Sequence, residues 1–509
     1  MDVIGDMAQA LIDGGIAFWA LVVLGVFIGL AVGVLPGLTF VMGVLLILPF
    51  TYSMDPGQAL VLMIAVYVAG TYGGALTAIL LNIPGEPNDV PLTRDGHLMA
   101  RRGRAAEALG WAALAALFGG LVGWLALVFF SQLFASLALK FGSAEYFAIV
   151  LLGLTSVLAL SSDSTVKSLI ALFAGMLLAT VGVDDIYGAV RYDFGTDTLR
   201  DGINYLAILI GVYALTEALT RFAERFGGKA GQQPANVRTT IPGLSAIRSR
   251  AGSFGRGMAT GAFVSAGPGV GSTVGSFVAY GVEKQFGKHK DELGKGSPSG
   301  IIAPQAASTA SVSGALIHLL VLGIPGSGAS AVLLGVFQIN NINPGPTIFT
   351  QQEELLATIF VGLFVALFVM FVMGVLAAKP MIRLLRMPEV YIAAFIVVFA
   401  YVGAFALRQS MSDVFIMTAF GVLGFFMVRA GYPLAPLVLG AILGPLAERY
   451  FQTTMIRNAN DWTVFFTRPL SAALLAIAFV VFLVLTYRAI RASRVAKAAR
   501  EEAMAAQAH

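Results

Sequence analysis

The sequence predicts an all-α polytopic membrane protein of roughly ten to twelve transmembrane helices, with broken or re-entrant half-helices, in two inverted-topology repeats. Composition is the first reason. Of 509 residues, 58% are hydrophobic and 12% charged, with a mean hydropathy of +0.84, whereas about a quarter of an ordinary soluble domain is charged. The second reason is two matched pairs of helix breaks. Leu35-Pro36-Gly37-Leu38-Thr39 precedes Asn82-Ile83-Pro84-Gly85, and Gly267-Pro268-Gly269-Val270-Gly271-Ser272-Thr273 precedes Ile324-Pro325-Gly326-Ser327. Proline removes a backbone donor and clashes with the preceding turn, while glycine permits positive φ. The third reason is loop charge. The loop after the first Ile-Pro-Gly holds Arg94, Arg101, Arg102 and Arg104, and the stretch between the first two breaks has no Lys or Arg. In the second half Lys284, Lys288, Lys290 and Lys295 lie between the breaks, and Asn340 to Glu354 has none. Corresponding loops therefore fall on opposite sides of a membrane.

Taken in order, residues 1–15 read as an amphipathic lead-in without a basic start, so no cleavable signal is expected, and the side occupied by the N-terminus stays open. The first repeat, 16–223, holds apolar runs at 16–34, 38–50, 57–82, 106–134, 144–160, 165–183 and 203–222. A basic linker, 224–256, is expected to be cytoplasmic. The second repeat with additional helices, 257–487, carries runs at 256–282, 299–322, 327–339, 355–378, 389–406, 412–429, 434–447 and 469–487. A basic tail, 488–509, is also expected in the cytoplasm. The acidic, aromatic stretch from Asp184 to Asp201 reads as periplasmic, either a docking surface or an ordinary solvated loop.

The breaks carry the chemistry. An interrupted helix frees N–H groups at one new end, which favour carboxylates, and C=O groups at the other, which favour cations. Pro36, Gly37, Leu38, Thr39, Asn82, Pro84, Gly85, Pro268, Gly269, Gly271, Ser272, Thr273, Ser308, Thr309, Pro325, Gly326 and Ser327 form the expected substrate site. A sodium site is expected near Thr39, Asn82, Ser272 and Ser308. The plainer alternative is a set of structural kinks with small residues for packing. Glu86 and Asp89 read as helix caps before proton or cation ligands, and Thr93 and Asp95 as further N-terminal residues. His318 is either a protonatable group at depth or a neutral side chain bonded to a carbonyl. Arg408, Asp413, Arg429, Glu448 and Arg449 read as paired or snorkelling residues near span ends.

Several chemistries are excluded. The Gly-Lys pairs at 228, 287 and 294 are followed by Ala, His and Gly, so there is no Walker A motif. No H-E-x-x-H occurs, the four histidines are scattered, and there is no cysteine for a disulfide or thiolate site. No cofactor or resident metal is expected, and no nucleic-acid partner. An intramembrane enzyme using Glu86, Asp163 or His318 lacks a matched acid–base or nucleophile pair.

The run Gly33-Val-Leu-Pro-Gly-Leu-Thr39, with Leu48-Pro-Phe-Thr-Tyr52, Tyr72-Gly-Gly74, Ile79-Leu-Leu-Asn-Ile-Pro-Gly85, Thr93-Arg-Asp-Gly96, Leu322-Gly-Ile-Pro-Gly-Ser327 and Asn343-Pro-Gly-Pro346, resembles the large membrane subunit of tripartite tricarboxylate transporters. The resemblance spans about Gly29 to Leu485. It implies a multi-pass permease in the bacterial inner membrane, importing tricarboxylates such as citrate, or related carboxylates, by symport with sodium or protons. It also implies two partners, a periplasmic solute-binding protein and a small four-helix membrane subunit. The family's A-P-E and A-N-N-A motifs stand here as Ala303-Pro304-Gln305 and Ala307-Ser308-Thr309-Ala310, a departure that touches ligand or coupling. A passive carboxylate channel and a purely structural membrane subunit remain as alternatives.

Overall fold

The protein is described from a computed structural model covering residues 3–35, 37–160, 164–223, 239–265, 271–376, 378–384, 387–484 and 486–487. Pro36, Asp163, Pro268, Gly269, the 488–509 tail and residues 224–238 of the 224–256 linker lie outside the described residues. In chain order the first half forms α1 (Val3–Asp13), α2 (Gly15–Val34), α3 (Phe40–Thr51), α4 (Pro56–Leu81), α5 (Val90–Met99), α6 (Ala105–Ala138), α7 (Ser143–Leu160) and α8 (Thr165–Leu178). A two-stranded hairpin follows, β1 (Gly182–Val183) with β2 (Val190–Arg191), then α9 (Asp197–Arg200), α10 (Tyr205–Leu209) and α11 (Thr216–Ala223). The second half forms α12 (Leu244–Ser249), α13 (Ala251–Val264), α14 (Gly271–Phe286), α15 (Ser299–Leu322), α16 (Gly328–Ile339), α17 (Ile348–Gln351) and α18 (Glu353–Leu376). It continues through α19 (Ala378–Leu384), α20 (Glu389–Arg408), α21 (Met411–Arg429), α22 (Leu434–Arg457), α23 (Val464–Thr467) and α24 (Pro469–Val484).

Among the described residues nine helical stretches are long and apolar enough to cross a membrane, and five shorter apolar helices accompany them. The expected run 256–282 is two helices, α13 and α14, on either side of Gly267-Pro268-Gly269. The run 165–183 ends earlier, because the chain turns into β1 after Leu178. The run 434–447 is longer than expected: Pro445 is accommodated inside α22, which continues to Arg457. Apolarity alone stopped that span too early, since its last turns are polar.

The chain divides into two compact units, Met1–Lys140 with Leu206–Phe425, and Phe141–Tyr205 with Phe426–His509. Within the first unit, α4 and α15 are the central helices. The apolar stretch of α4 is wholly buried and that of α15 is 89% buried, although α15 carries Gln305, Ser308, Thr309, Ser311 and Ser313. A helix covered on every side is a core element. The packing around the two is reciprocal. α2 and α3 pack on α4 as α13 and α14 pack on α15. Across the halves, α15 packs along α6 and α4 along α18, while α16 meets α3 and the short 87–89 turn meets α14. Each half thus covers the other's central helix, as interlocked repeats do.

Small residues permit that approach. Gly25, Gly29 and Gly33 of α2 face the carbonyls of Leu62, Val66 and Gly70 on α4, and Gly257 and Gly261 of α13 face those of Ala303 and Ala307 on α15. Any Cβ added there would press into backbone, the small-xxx-small logic of membrane helices. In the second unit α7 and α8 pack on α22. The hairpin is fastened to α22 by an Arg191–Glu448 ion pair and by Gln452 donating to Asp184, which also accepts from the Ile186 N–H at 2.7 Å.

Replacing Gly29 by Val is expected to cost about 1–3 kcal/mol through overpacking. Gly281→Ala, at a helical glycine with open space around it, should leave stability unchanged or slightly raised by better helix propensity. Thermal unfolding of both variants in detergent checks the pair; equal melting would remove the ladder's role.

Candidate functional site

The first break begins where α2 ends at Leu35. Gly37 has φ +81, a left-handed conformation that admits glycine best. Leu38 is buried, and Thr39 caps α3 by accepting from the Met42 N–H at 3.4 Å. Against Gly37 lies an ion pair that the sequence reading passed over. Arg221 Nε donates to Glu217 Oε1 at 2.8 Å, and a Cβ on Gly37 would stand 2.6 Å from Glu217 Oε1 and 2.7 Å from Arg221 Nη2. Arg221 is buried. Its signal was an acid and a base four residues apart at the end of an apolar run.

The second break repeats in both halves residue for residue. α4 stops at Asn82, φ 60, and α15 stops at Gly323, φ 68, each in the left-handed conformation. Ile-Pro-Gly follows in both, then a capping residue that is answered three positions later. In the first half the Glu86 N–H donates to Asp89 Oδ2 at 2.9 Å. In the second, the Ser327 N–H donates to Ser330 Oγ at 2.8 Å and the Ser330 N–H returns to Ser327 Oγ at 3.2 Å. Gly85 is required by close approach, since its Cβ would lie 2.6 Å from the Gly33 carbonyl and against Gly74. Gly326 packs likewise on Ala315.

Glu86 and Asp89 are therefore caps, and Glu86 does more. Its carboxylate also accepts from the Phe40 N–H in the first turn of α3, tying the two first-half breaks together. Both acids are buried. Thr93 and Asp95, expected as N-terminal caps, are not. α5 already starts at Val90, Thr93 bonds back to the Val90 carbonyl, and Asp95 accepts from the N–H groups of Gly294, Gly296 and Ser297. The tertiary loop offers Asp95 a better donor set than its own helix.

Cross-half contacts meet at the middle of the central helices. Asn88 Nδ2 donates to Ser308 Oγ at 2.8 Å, and Ser276 Oγ donates to the Asn88 carbonyl at 2.6 Å. Tyr67 and Ser327 share a hydroxyl hydrogen bond of 3.0 Å. Thr309 Oγ1 accepts from Gln305 Nε2, which also donates to the Thr71 carbonyl at 3.3 Å. Ser272 is buried in the first turn of α14, beginning at Gly271 with φ +60, and Thr273 follows it half-buried. Pro84 and Pro325 sit between the left-handed stops and the caps. Tyr67, Asn88 and Ser276 are functional candidates that sequence reasoning missed; a tyrosine within an apolar run and an Asn-Asp pair beside a break were the available signals. His318 Nδ1 is bonded to the Gly314 carbonyl at 2.9 Å. Arg408 and Asp413 pair, as Glu448 does with Arg191.

Two buried central helices, each stopped by a left-handed residue, an Ile-Pro-Gly and a capping pair, define a polytopic membrane protein organised around matched broken helices, the arrangement of transporters. The chain belongs to the tripartite tricarboxylate transporter TctA family, whose model matches residues 19–439. It is 34% identical over 470 residues to a protein of Agrobacterium vitis described as an uncharacterized 52.8 kDa protein in the TAR-I ttuC' 3' region, covering 92% of this chain and 93% of the relative. A second Agrobacterium vitis protein, described as uncharacterized in the TAR-II ttuC' 3' region, is 33% identical over 227 residues, which is 45% of this chain and 94% of that one. No solved structure matches the chain.

Glu86→Ala leaves the buried Phe40 N–H without its acceptor and is expected to cost about 1–3 kcal/mol, whereas Glu86→Gln keeps an oxygen there and should retain most of the stability. Melting temperatures of both purified variants check this; equal losses would mean that charge, not capping, is the contribution.

Proposed function

We propose that this chain is the large permease subunit of a binding-protein-dependent secondary active transporter that imports tricarboxylates or related carboxylates across the bacterial inner membrane. Uptake is driven by a sodium or proton gradient, with a periplasmic solute-binding protein delivering substrate and a small four-helix membrane subunit assisting. The observation that carries this reading is the matched pair of broken helices at the centre of two interlocked halves. The N-terminus of α3, twelve residues long, opens at Thr39, two residues after the Gly37 against which Arg221 lies, and a helix N-terminus and an arginine are both suited to a carboxylate. The start of α14, with Ser272 and Thr273 following Pro268 and Gly269, supplies the corresponding end in the second half. Ser308, Thr309 and Ser327 add uncharged donors. Movement of this site across the membrane, as a rigid body or by gating, gives alternating access. A passive channel on the same breaks is the second reading.

The test is uptake of labelled citrate into proteoliposomes that contain this chain and its small membrane partner, with and without the binding protein, under an imposed sodium gradient and then a proton gradient. Accumulation and counterflow that need the binding protein support the carrier; flux that only dissipates a gradient supports the channel. Gly37→Val forces a side chain into the Glu217–Arg221 pair from a left-handed backbone position, so it is expected to abolish uptake while membrane insertion persists. Normal uptake by that variant would remove the first break from the site.

A further inference from the structure

Asn88 and Gln305 are fully buried, yet Asn88 Oδ1 and Gln305 Oε1 have no hydrogen-bond partner among the described residues. Such atoms are rare in native cores, and each requires an explanation such as a bound water or ion. Exchange of the amide ends does not remove them. Asn88 Nδ2 donates to Ser308 Oγ and lies 3.3 Å from Asp89 Oδ1, so a flipped amide would set oxygen against carboxylate. Gln305 Nε2 donates to the Thr71 carbonyl, so its flip would set oxygen against oxygen. Each orientation is favoured by one neighbour that accepts, Asp89 Oδ1 for Asn88 and the Thr71 carbonyl for Gln305.

The two residues belong to one cluster. Asn88 is bonded to Ser308, which lies three residues beyond Gln305 and so on the same face of α15. Asp89 stands beside Asn88, with its second oxygen accepting from the Glu86 N–H. Glu86 and Asp89 are buried acids, and among the described residues no Lys or Arg pairs with either. Buried anionic character without a cationic partner is costly. Orphan neutral oxygens beside acids with no cationic partner offer a small cation its ligands.

We infer that Asn88 Oδ1, Gln305 Oε1 and Ser308 Oγ, with Asp89 beside them, bind a dehydrated monovalent cation of sodium's size. The inference rests on the transporter reading above and places its coupling ion. Oxygen-only donors suit a hard cation, whereas transition metals favour imidazole or thiolate; among the described residues no group of three His, Cys, Asp or Glu gathers. The matched position in the other half, Tyr67 with Ser327 and Ser330, has its hydroxyls bonded to one another. Among the described residues that matched position therefore offers no orphan side-chain oxygen.

The test uses the purified full-length chain, without substrate or partners, and reads thermal unfolding in sodium chloride against choline chloride of equal ionic strength. Wild type is expected to melt higher as sodium rises, by linkage. Gln305→Met and Asn88→Leu remove one oxygen each at similar volume. Each also removes the amide N–H groups that Thr71 or Ser308 accepts from, so melting in choline sets each variant's own baseline, and above it the sodium-dependent rise weakens by roughly tenfold or more in apparent affinity. An unchanged sodium response in both apolar variants overturns the site, and so does a wild type indifferent to sodium, which would leave water on the amides. Sodium-driven uptake with no such response refutes the site and spares the transporter. A sodium response lost in the variants, with no gradient-driven uptake by wild type, supports the site and refutes the transporter.

Discussion

The structure depends on one constraint: a peptide group freed within an apolar layer must find its partner in the protein, because lipid offers none and each orphan costs several kcal/mol. Every interruption of α4 and α15 is closed by a local device. Left-handed residues end the helices, Asp89 and Ser330 answer their own caps, and Glu86 crosses from one break to the other to hold the Phe40 N–H. The site is thus built from the repairs that the breaks demand. Its polar groups are held by one another, which positions them without recourse to solvent.

That arrangement requires close helices. With glycine or alanine at the crossings, α2 and α13 come near enough to α4 and α15 for their Cα atoms to meet opposing carbonyls. The breaks then pack on the same ladder, Gly85 against Gly33 and Gly74. Reciprocal covering of α4 by α18 and of α15 by α6 makes each half incomplete without the other. Any rearrangement of one half consequently alters the environment of the other's central helix.

The halves are matched in backbone and unlike in chemistry. Where the first half places Glu86 and Asp89, the second places Ser327 and Ser330. Both pairs cap, since each offers an oxygen at the right position, but only the first is ionisable in the carboxylate range. Arg221 and Glu217 add a further asymmetry beside Gly37. A symmetric scaffold with an asymmetric set of charges can present an anion and a cation with separate places, which a strictly duplicated site cannot.

The sequence by itself determined the class, the helical content and the location of the breaks. These follow from local causes: apolar length, the missing N–H of proline and the freedom of glycine. It also brought Ser308, Thr309 and Ser327 into view, because hydroxyls beside breaks are visible in one dimension. Only the tertiary structure decided what each group meets. Asn88 reaches Ser308 across 220 residues and Tyr67 reaches Ser327 across 260. Asp95 left its expected cap for the 294–297 loop, and Arg221 came to rest on Gly37. Such contacts arise from the packing of whole helices, in which a side chain's partner is fixed by the neighbour its helix face meets and not by the residues beside it in the chain.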